Sequence, residues 1–207
     1  MSHQREISEF VQRLKKLLSY NLGKEGCQTT LRMELEIVKE YIALQQMRYD
    51  FIIEMNIEDG SYLDQPTVRM LFQPLVENAI RYGLGDDEKI SIQVFEDVAR
   101  HFAVVTISDS GKGLNQEEID EINQPFDYDW GYWKNENRGI GLRYVKAMLE
   151  SFYDGQTSLF VNSKKGFGTR ITILLPVREP EEKKEKDKEV TLEENKVGQT
   201  DESIDCR

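Results

Sequence analysis

Glu77 and Asn78 form a polar pair inside an otherwise apolar run that extends from Leu75 to Gly83. A carboxylate can accept a proton from a reacting group, and an amide oxygen can coordinate a hard cation such as Mg²⁺. An unpartnered carboxylate beside apolar surface costs several kcal/mol, so a ligand or cation at a cleft edge would explain the pair. The alternative is a helix face that simply contacts water.

The apolar residues around this pair follow helical spacing in two rows. One row contains Leu71, Leu75, Ala79 and Tyr82, and the other contains Phe72, Val76 and Ile80. A helix that is apolar on two rows is mostly buried. The pattern therefore favours a cleft edge and predicts a magnesium-nucleotide site there.

A second candidate is the segment Asp109-Ser110-Gly111-Lys112-Gly113, which follows an alternating run. The run puts the carboxylate at the end of a strand, and the glycines permit close approaches that a Cβ would block. Such a carboxylate can accept a hydrogen bond from the exocyclic amine of adenine, where guanine has a carbonyl, so a buried Asp109 would discriminate between the two bases. An Asp-Gly turn between strand and loop is the alternative.

Two further glycine segments could contact a nucleotide. Arg138-Gly139-Ile140-Gly141-Leu142 introduces a helix, whose first backbone N–H groups can hold phosphate oxygens. Gly166-Phe167-Gly168-Thr169 leads into the last strand, where Thr169 is either a hydroxyl near a base or a residue suited to a strand. For the first segment, the alternative is a flexible loop that ends in a helix.

The elements that position these residues are predicted from periodicity. Apolar stripes indicate two helices separated by the segment 21–28, with Thr30 as a cap of the second. We expect strands at 51–57, 90–94, 103–107, 158–161 and 169–175, and helices at about 67–82, 116–122 and 142–152. The predicted fold class is α/β (α+β), a two-layer sandwich whose mixed sheet is covered by helices on one face, preceded by a partial helical hairpin.

Composition and charge set the limits of function. The 207 residues carry a net charge of −11, which argues against a nucleic-acid partner. Between 179 and 207 there are eleven acidic and six basic residues and no aromatic residue, so this stretch is predicted to be a disordered tail. The predicted domains are thus 1–49, 50–178 and 179–207. Two distant cysteines, and no signal-peptide or membrane-spanning pattern, indicate a soluble chain in a reducing compartment.

The order of the motifs resembles that of a known family. The Glu-Asn helix, Asp-x-Gly-x-Gly, Gly-x-Gly-Leu and Gly-Thr follow one another like the N box and three glycine boxes of the Bergerat ATP-binding fold. That superfamily includes sensor histidine kinases, heat-shock chaperones, type II topoisomerases and mismatch-repair ATPases. Segments 72–83 and 139–145 are similar to the hallmarks of LytS/YesM-type sensor histidine kinases, and the resemblance extends from about Ile7 to Pro176.

This resemblance implies a site for ATP and Mg²⁺, with adenine on Asp109 and magnesium on Asn78. Glu77 would be the general base. The other implied ATP contacts are Arg81, Tyr82, Gly111, Gly113, Arg138, Gly139, Gly141, Leu142 and Thr169. The segment 125–137, rich in aromatic residues, would be the ATP lid. The chain would be the cytoplasmic portion of a membrane-bound receptor that phosphorylates a His and passes the phosphoryl group to a response regulator.

The sequence departs from the family pattern at two points. Tyr82 stands where the family usually has His, and no Pro-His-Phe-Leu-Phe-Asn-like phosphoacceptor segment occurs in the sequence. We therefore expect the acceptor helix to be supplied in cis or in trans. The full-length protein is expected to be a homodimer, and this chain a monomer or weak dimer. A Bergerat-fold ATPase or switch, and a degenerate nucleotide-binding scaffold, are the alternatives.

Overall fold

The computed structural model describes residues 2–23, 28–84, 89–123 and 140–178. Its helices are α1 (Ser2–Asn21), α2 (Leu31–Gln46), α3 (Gln73–Tyr82), α4 (Gln116–Asn123) and α5 (Ile140–Phe152), with a short 3₁₀ helix at Ser61–Asp64. Its strands are β1 (Gln28–Thr30), β2 (Ile52–Ile57), β3 (Pro66–Val68), β4 (Lys89–Asp97), β5 (Phe102–Asp109), β6 (Ser158–Ser163) and β7 (Thr169–Pro176).

The five longer strands form one mixed sheet in the order β2-β4-β5-β7-β6. Strand β2 runs parallel to β4, and the other neighbouring pairs are antiparallel. A parallel pair needs a crossover connection, and α3 lies in the chain between β2 and β4. The arrangement confirms the predicted mixed sheet. Strands β1 and β3 form a separate antiparallel pair.

One face of the sheet is apolar and lies against the helices. On β4, alternate residues Ile90, Ile92 and Val94 are buried, as the period of two in a strand requires. Side chains from α2, α3 and α5 belong to the same core, including Leu35, Leu75 and Leu149. The opposite face leaves Ile52, Phe95 and Phe160 exposed. Helices therefore cover one face, as predicted.

The N-terminal helices α1 and α2 pack against each other. Leu17 of α1 is buried, and Arg13 and Lys16 form ion pairs with Glu40 of α2. The predicted cap is observed, because the Thr30 hydroxyl accepts a hydrogen bond from the backbone N–H of Met33 at 3.2 Å. A domain boundary near residue 50 stays a prediction.

The predicted start of the third helix was wrong. Residues 66–68 form strand β3, and α3 begins only at Gln73. Pro74 near the start of α3 explains this, because proline fits the first helical turn, where no N–H partner is needed, better than a helix interior. The backbone N–H groups of residues 70–72 instead donate to the carboxylate of Glu34.

The other helices and strands that were predicted lie within a few residues of their expected positions. The predicted lid (125–137) and acidic tail lie outside the described residues. Within the described ranges, no helix is long and apolar enough to cross a bilayer.

Candidate functional site

Helix α3 presents its two central polar residues differently. Its apolar rows are buried, with Leu75 and Val76 fully inaccessible, so the helix is fixed in the core. Asn78 is partly buried and lines a cavity, whereas the Glu77 side chain is exposed and outside that lining. The amide of Asn78 makes no hydrogen bond with any other described residue. It is therefore available to a ligand in the cavity.

Asp109 closes the same cavity from the end of β5. Its Oδ1 accepts hydrogen bonds from the backbone N–H groups of Gly111 and Thr169, both at 3.1 Å. Its Oδ2 accepts none from the described part of the chain. One oxygen is thus used to fix the carboxylate, and the other remains as an acceptor. Burial raises the pKa of Asp109, and the two backbone donors oppose that rise.

Close backbone approaches hold this carboxylate in place. A Cβ on Gly83, just after α3, would lie 2.4 Å from the Asp109 carboxylate carbon. A Cβ on Gly168 would lie 2.0 Å from the Asp109 carbonyl oxygen, and the positive φ of Gly168, +83°, favours glycine independently. These glycines allow α3, β5 and the turn before β7 to meet around one side chain.

The cavity between these elements is open to solvent at its mouth, and the empty space within it and at that mouth amounts to about 680 Å³. Most of its wall is apolar, with a few polar groups, which is typical of a site for a small organic ligand. It is lined by Leu75, Asn78, Ala79, Tyr82, Gly83, Ile107, Asp109, Lys112, Gly113, Leu114, Glu118, Ile122, Leu142, Thr169 and Ile171.

The structure brings together six of the residues singled out in the sequence: Asn78, Tyr82, Asp109, Gly113, Leu142 and Thr169. Gly111 packs on the backbone of Gly83 instead of lining the cavity. Gly141 lies behind Asn78, where an added Cβ would be 3.5 Å from its Nδ2. This contact puts the start of α5 beside the Asn78 amide. Arg138 and Gly139 lie outside the described residues.

Glu77 and Arg81 are both exposed on α3 and do not line the cavity. Glu77 nevertheless lies close enough to Tyr41 of α2 for its charge to act on that side chain. Burial raises the pKa of Tyr41 to about 12, and the negative charge of Glu77 contributes to that rise. The carboxylate of Glu77 therefore lies near the helical hairpin.

Lys112 lines the cavity, although the sequence pattern assigned it no role. Its Nζ lies 4.9 Å from the centre of the Tyr82 ring, within range of a cation–π contact. The Arg81 guanidinium lies 5.5 Å from the same ring. Lys112 stands between the two glycines of the Asp-x-Gly-x-Gly segment, so its position there could have singled it out. Glu118 and Ile122 of α4 gave no comparable signal.

The family described as histidine kinase-, DNA gyrase B-, and HSP90-like ATPase matches residues 63–179, and a histidine kinase family matches residues 1–52. Sensor protein kinase HptS of Staphylococcus aureus is 30% identical over 168 residues, which cover 81% of this chain and 32% of HptS. The chain therefore spans about a third of the length of these curated relatives.

Solved structures share the fold at low identity. The catalytic domain of histidine kinase ThkA superposes with a TM-score of 0.53 at 16% identity, covering 72% of this chain and 93% of that one. Histidine kinase AdeS of Acinetobacter baumannii gives 0.53 at 18% identity, covering 86% and 82%. The LytS/YesM subtype stays a prediction. The matched ATPase family is consistent with the order of the glycine motifs and with the ligand-sized cavity. The chain belongs to the histidine kinase-, DNA gyrase B-, and HSP90-like ATPase family, as the ATP-binding catalytic region of a sensor histidine kinase.

Proposed function

We propose that this chain binds Mg-ATP in the Asp109 cavity and transfers the γ-phosphoryl group to a histidine on a separate helix. The observation that carries the proposal is the pair of unused polar groups, Asp109 Oδ2 and the Asn78 amide, on the wall of one largely apolar cavity. An adenine ring fits apolar walls, and Oδ2 would accept a hydrogen bond from its amine. Thr169 adds a hydroxyl to the same wall.

The chain's polar groups also suit the phosphate end. The Asn78 amide oxygen would be its share of the Mg²⁺ ligands, since magnesium takes most ligands from phosphates and water. No cluster of three or more His, Cys, Asp or Glu side chains that could hold a metal occurs in the described ranges. Magnesium would neutralise charge on the phosphates. Lys112 and the start of α5 would supply further positive potential near the phosphates.

Glu77 is proposed as the general base. The attacking imidazole nitrogen forms a bond to the γ-phosphorus, the bond to the bridging oxygen breaks, and ADP leaves. Glu77 takes the proton that the imidazole loses, which requires the acceptor to come within hydrogen-bond distance of the carboxylate. The exposure of Glu77 and its proximity to Tyr41 of the helical hairpin support an acceptor arriving from that side.

This chain is proposed to be the cytoplasmic kinase region of a membrane receptor. The acceptor histidine would come from that longer protein, and a response regulator would be the next partner. The hairpin would also carry the homodimer interface of that protein. An exposed apolar stripe supports this, formed on α1 by Ile7, Phe10, Val11, Leu14 and Leu18, with Leu22 just beyond the end of the helix. We expect this chain alone to be a monomer or weak dimer.

A transfer assay tests the proposal. The chain is mixed with radiolabelled Mg-ATP and a helical hairpin that bears the family's Pro-His-Phe-Leu-Phe-Asn segment, and the acid-labile label on that hairpin is counted. Wild type should label the hairpin, and Glu77→Gln should reduce the rate by about 100-fold or more while leaving ATP affinity intact. Glu36→Gln, an exposed change on α2, is the matched control.

Two outcomes would contradict the proposal. Stoichiometric labelling of the chain alone on His3 or His101 would show that no separate acceptor is needed. Hydrolysis of ATP at an unchanged rate with and without the hairpin, and no label on it, would favour a simple ATPase of the same family.

A further inference from the structure

Glu34 is the one charged side chain that is buried among the described residues, at 2% exposure. It lies on α2, outside the cavity. Its Oε1 accepts a hydrogen bond from the backbone N–H of Met70 at 2.9 Å, and its Oε2 accepts from Leu71 at 2.7 Å and Phe72 at 3.4 Å. The hydroxyl of Tyr20, on α1, also donates to Oε1. Burial of a carboxylate is costly unless hydrogen-bond donors such as these stabilise it.

The three backbone donors belong to the turn that leads into α3. Met70 has a positive φ of +60°, which costs a non-glycine residue about 1 to 2 kcal/mol. Leu71 and Phe72 are fully buried, and the Phe72 carbonyl accepts the N–H of Val76 within the first turn of α3. The Glu34 carboxylate therefore fixes the turn from which α3, and with it Asn78, is oriented.

Tyr20 connects this turn to the end of α1. Besides the bond to Glu34, its hydroxyl lies 3.0 Å from the Thr29 hydroxyl, and its ring lies 4.7 Å from the Arg69 guanidinium. Arg69 Nη1 donates to the Tyr20 carbonyl at 2.8 Å. Burial and the neighbouring Glu34 raise the pKa of Tyr20, so its hydroxyl stays protonated and remains a donor at neutral pH. Burial also raises the pKa of Glu34, against the effect of its four donors.

We propose that Glu34 is a positioning residue for the nucleotide cavity, and that the Tyr20 hydrogen bond makes its hold on α3 depend on how α1 packs against α2. A rotation or shift of α1 would move Tyr20 away from Oε1 and remove one of the donors that stabilise the buried carboxylate. The turn at 70–72 would then loosen, and Asn78 would lose its fixed position. The nucleotide part of this inference depends on the proposed function, whereas the mechanical part does not.

Three single substitutions separate positioning from general stability. Tyr20→Phe removes one hydroxyl and keeps the ring against Arg69. Glu34→Gln replaces one acceptor oxygen with an NH₂ group that faces backbone N–H donors. Glu36→Gln, exposed on the same helix, makes the same charge change without a described partner and serves as the control.

Two measurements are made on each protein under conditions where it is folded: hydrogen exchange of the backbone amides of α3, and the Kd for Mg-ATP by calorimetry. We expect faster exchange in α3 for Tyr20→Phe and Glu34→Gln, with the control unchanged. Mg-ATP affinity should fall by about tenfold for Glu34→Gln and by about threefold for Tyr20→Phe, which is the size of effect that substitutions away from a ligand have on the coupling between two sites.

Unchanged exchange in α3 for Tyr20→Phe would overturn the coupling, whatever the nucleotide result. If Glu34→Gln does not fold, Tyr20→Phe alone decides the question, because it leaves the carboxylate and its backbone donors in place. If Glu34→Gln lowers the unfolding temperature but leaves both the exchange of α3 and the Kd for Mg-ATP unchanged, Glu34 contributes only to general stability. Failure of wild type to bind Mg-ATP would contradict the proposed function, and the exchange data would still test the coupling.

Discussion

The two ends of the candidate site are built in different ways. Around Asp109, one carboxylate oxygen is fixed by two backbone donors, and the glycines beside it are packed closer than a Cβ would allow. Around Glu77, the carboxylate is exposed and stands outside the cavity wall. The end that would recognise adenine is therefore fixed by contacts among the described residues. The end that would move a proton is open, and under the proposed mechanism the acceptor helix completes it.

The largest expected effect tests whether the Asp109 end depends on close packing. Gly168→Ala should lower the free energy of unfolding by about 3 kcal/mol or more, because its Cβ would lie 2.0 Å from the Asp109 carbonyl oxygen. Gly166→Ala is the matched control, since Gly166 has nearly the same φ, +82°, with nothing within 4 Å of an added Cβ. Gly166→Ala should lower the free energy of unfolding by only about 1 kcal/mol. Equal losses in urea unfolding would refute the packing argument.

The next effect tests whether Asp109 recognises the base. In Asp109→Asn the remaining oxygen can still accept from Gly111 and Thr169, and an amide donor replaces Oδ2. We expect ATP affinity to fall by about 100-fold, since an amine would meet a donor where it had a charged acceptor. The preference for ATP over GTP should narrow or reverse. Stability at neutral pH should not fall, because a buried charge is removed.

Calorimetric titration with both nucleotides, and thermal unfolding of the same samples, measure these effects. The exposed Asp50→Asn is the control for the charge change. An unchanged ATP affinity in Asp109→Asn would show that the base does not bind at Asp109.

A smaller effect is expected at the phosphate end. Lys112→Gln should weaken ATP binding by about tenfold, in a salt-dependent way, because one positive charge near the phosphates is lost. Binding of adenosine, which has no phosphate, should not change. Lys164→Gln is matched to it, because Lys164 also lies over an aromatic ring, that of Phe167, at 4.6 Å, but away from the cavity wall. Equal losses for ATP and adenosine would contradict a phosphate role for Lys112.

The smallest effect concerns pH. Burial raises the pKa of Asp109, so this group contributes stability below its unfolded value of 3.8, and the contribution is lost as pH rises through the folded pKa. Under the proposed function, ATP binding would have the opposite sign, because the adenine amine would need the ionised carboxylate as its acceptor. Affinity should therefore fall as pH is lowered, by at most about tenfold per pH unit, starting at higher pH than for an ordinary aspartate. Asp109→Asn should remove this dependence.

Much of the fold could be predicted because its elements have regular periods. The alternating runs of β4, β5 and β7 and the apolar rows of α3 gave both the type of element and the buried face. The start of α3 could not be predicted in this way. Its turn is stabilised by Glu34, which is 36 residues earlier than Met70 in the chain, and no local pattern reveals such a contact.

The candidate site was predictable where a residue type is chemically unusual in its setting. Asn78 and Asp109 are polar groups in apolar runs, and the structure finds both in one cavity wall. Glu118 and Ile122 join that wall through α4, which packs against α5, and such tertiary packing leaves no local pattern in the sequence. The position of Glu77 was harder to predict. Adjacent residues of a helix point to different surfaces, so Glu77 is exposed although Asn78 lines the cavity.

The parallel pairing of β2 with β4 has a consequence for how the molecule folds. Both β3 and α3 lie between these strands in the chain. Pairing of β2 with β4 therefore closes a loop that contains the segment with Asn78. Such a non-local contact is slow to form, because the loop-closure entropy must be overcome first. A refolding experiment that follows nucleotide binding and sheet formation together would therefore show whether the segment that carries Asn78 becomes competent before or after β2 pairs with β4.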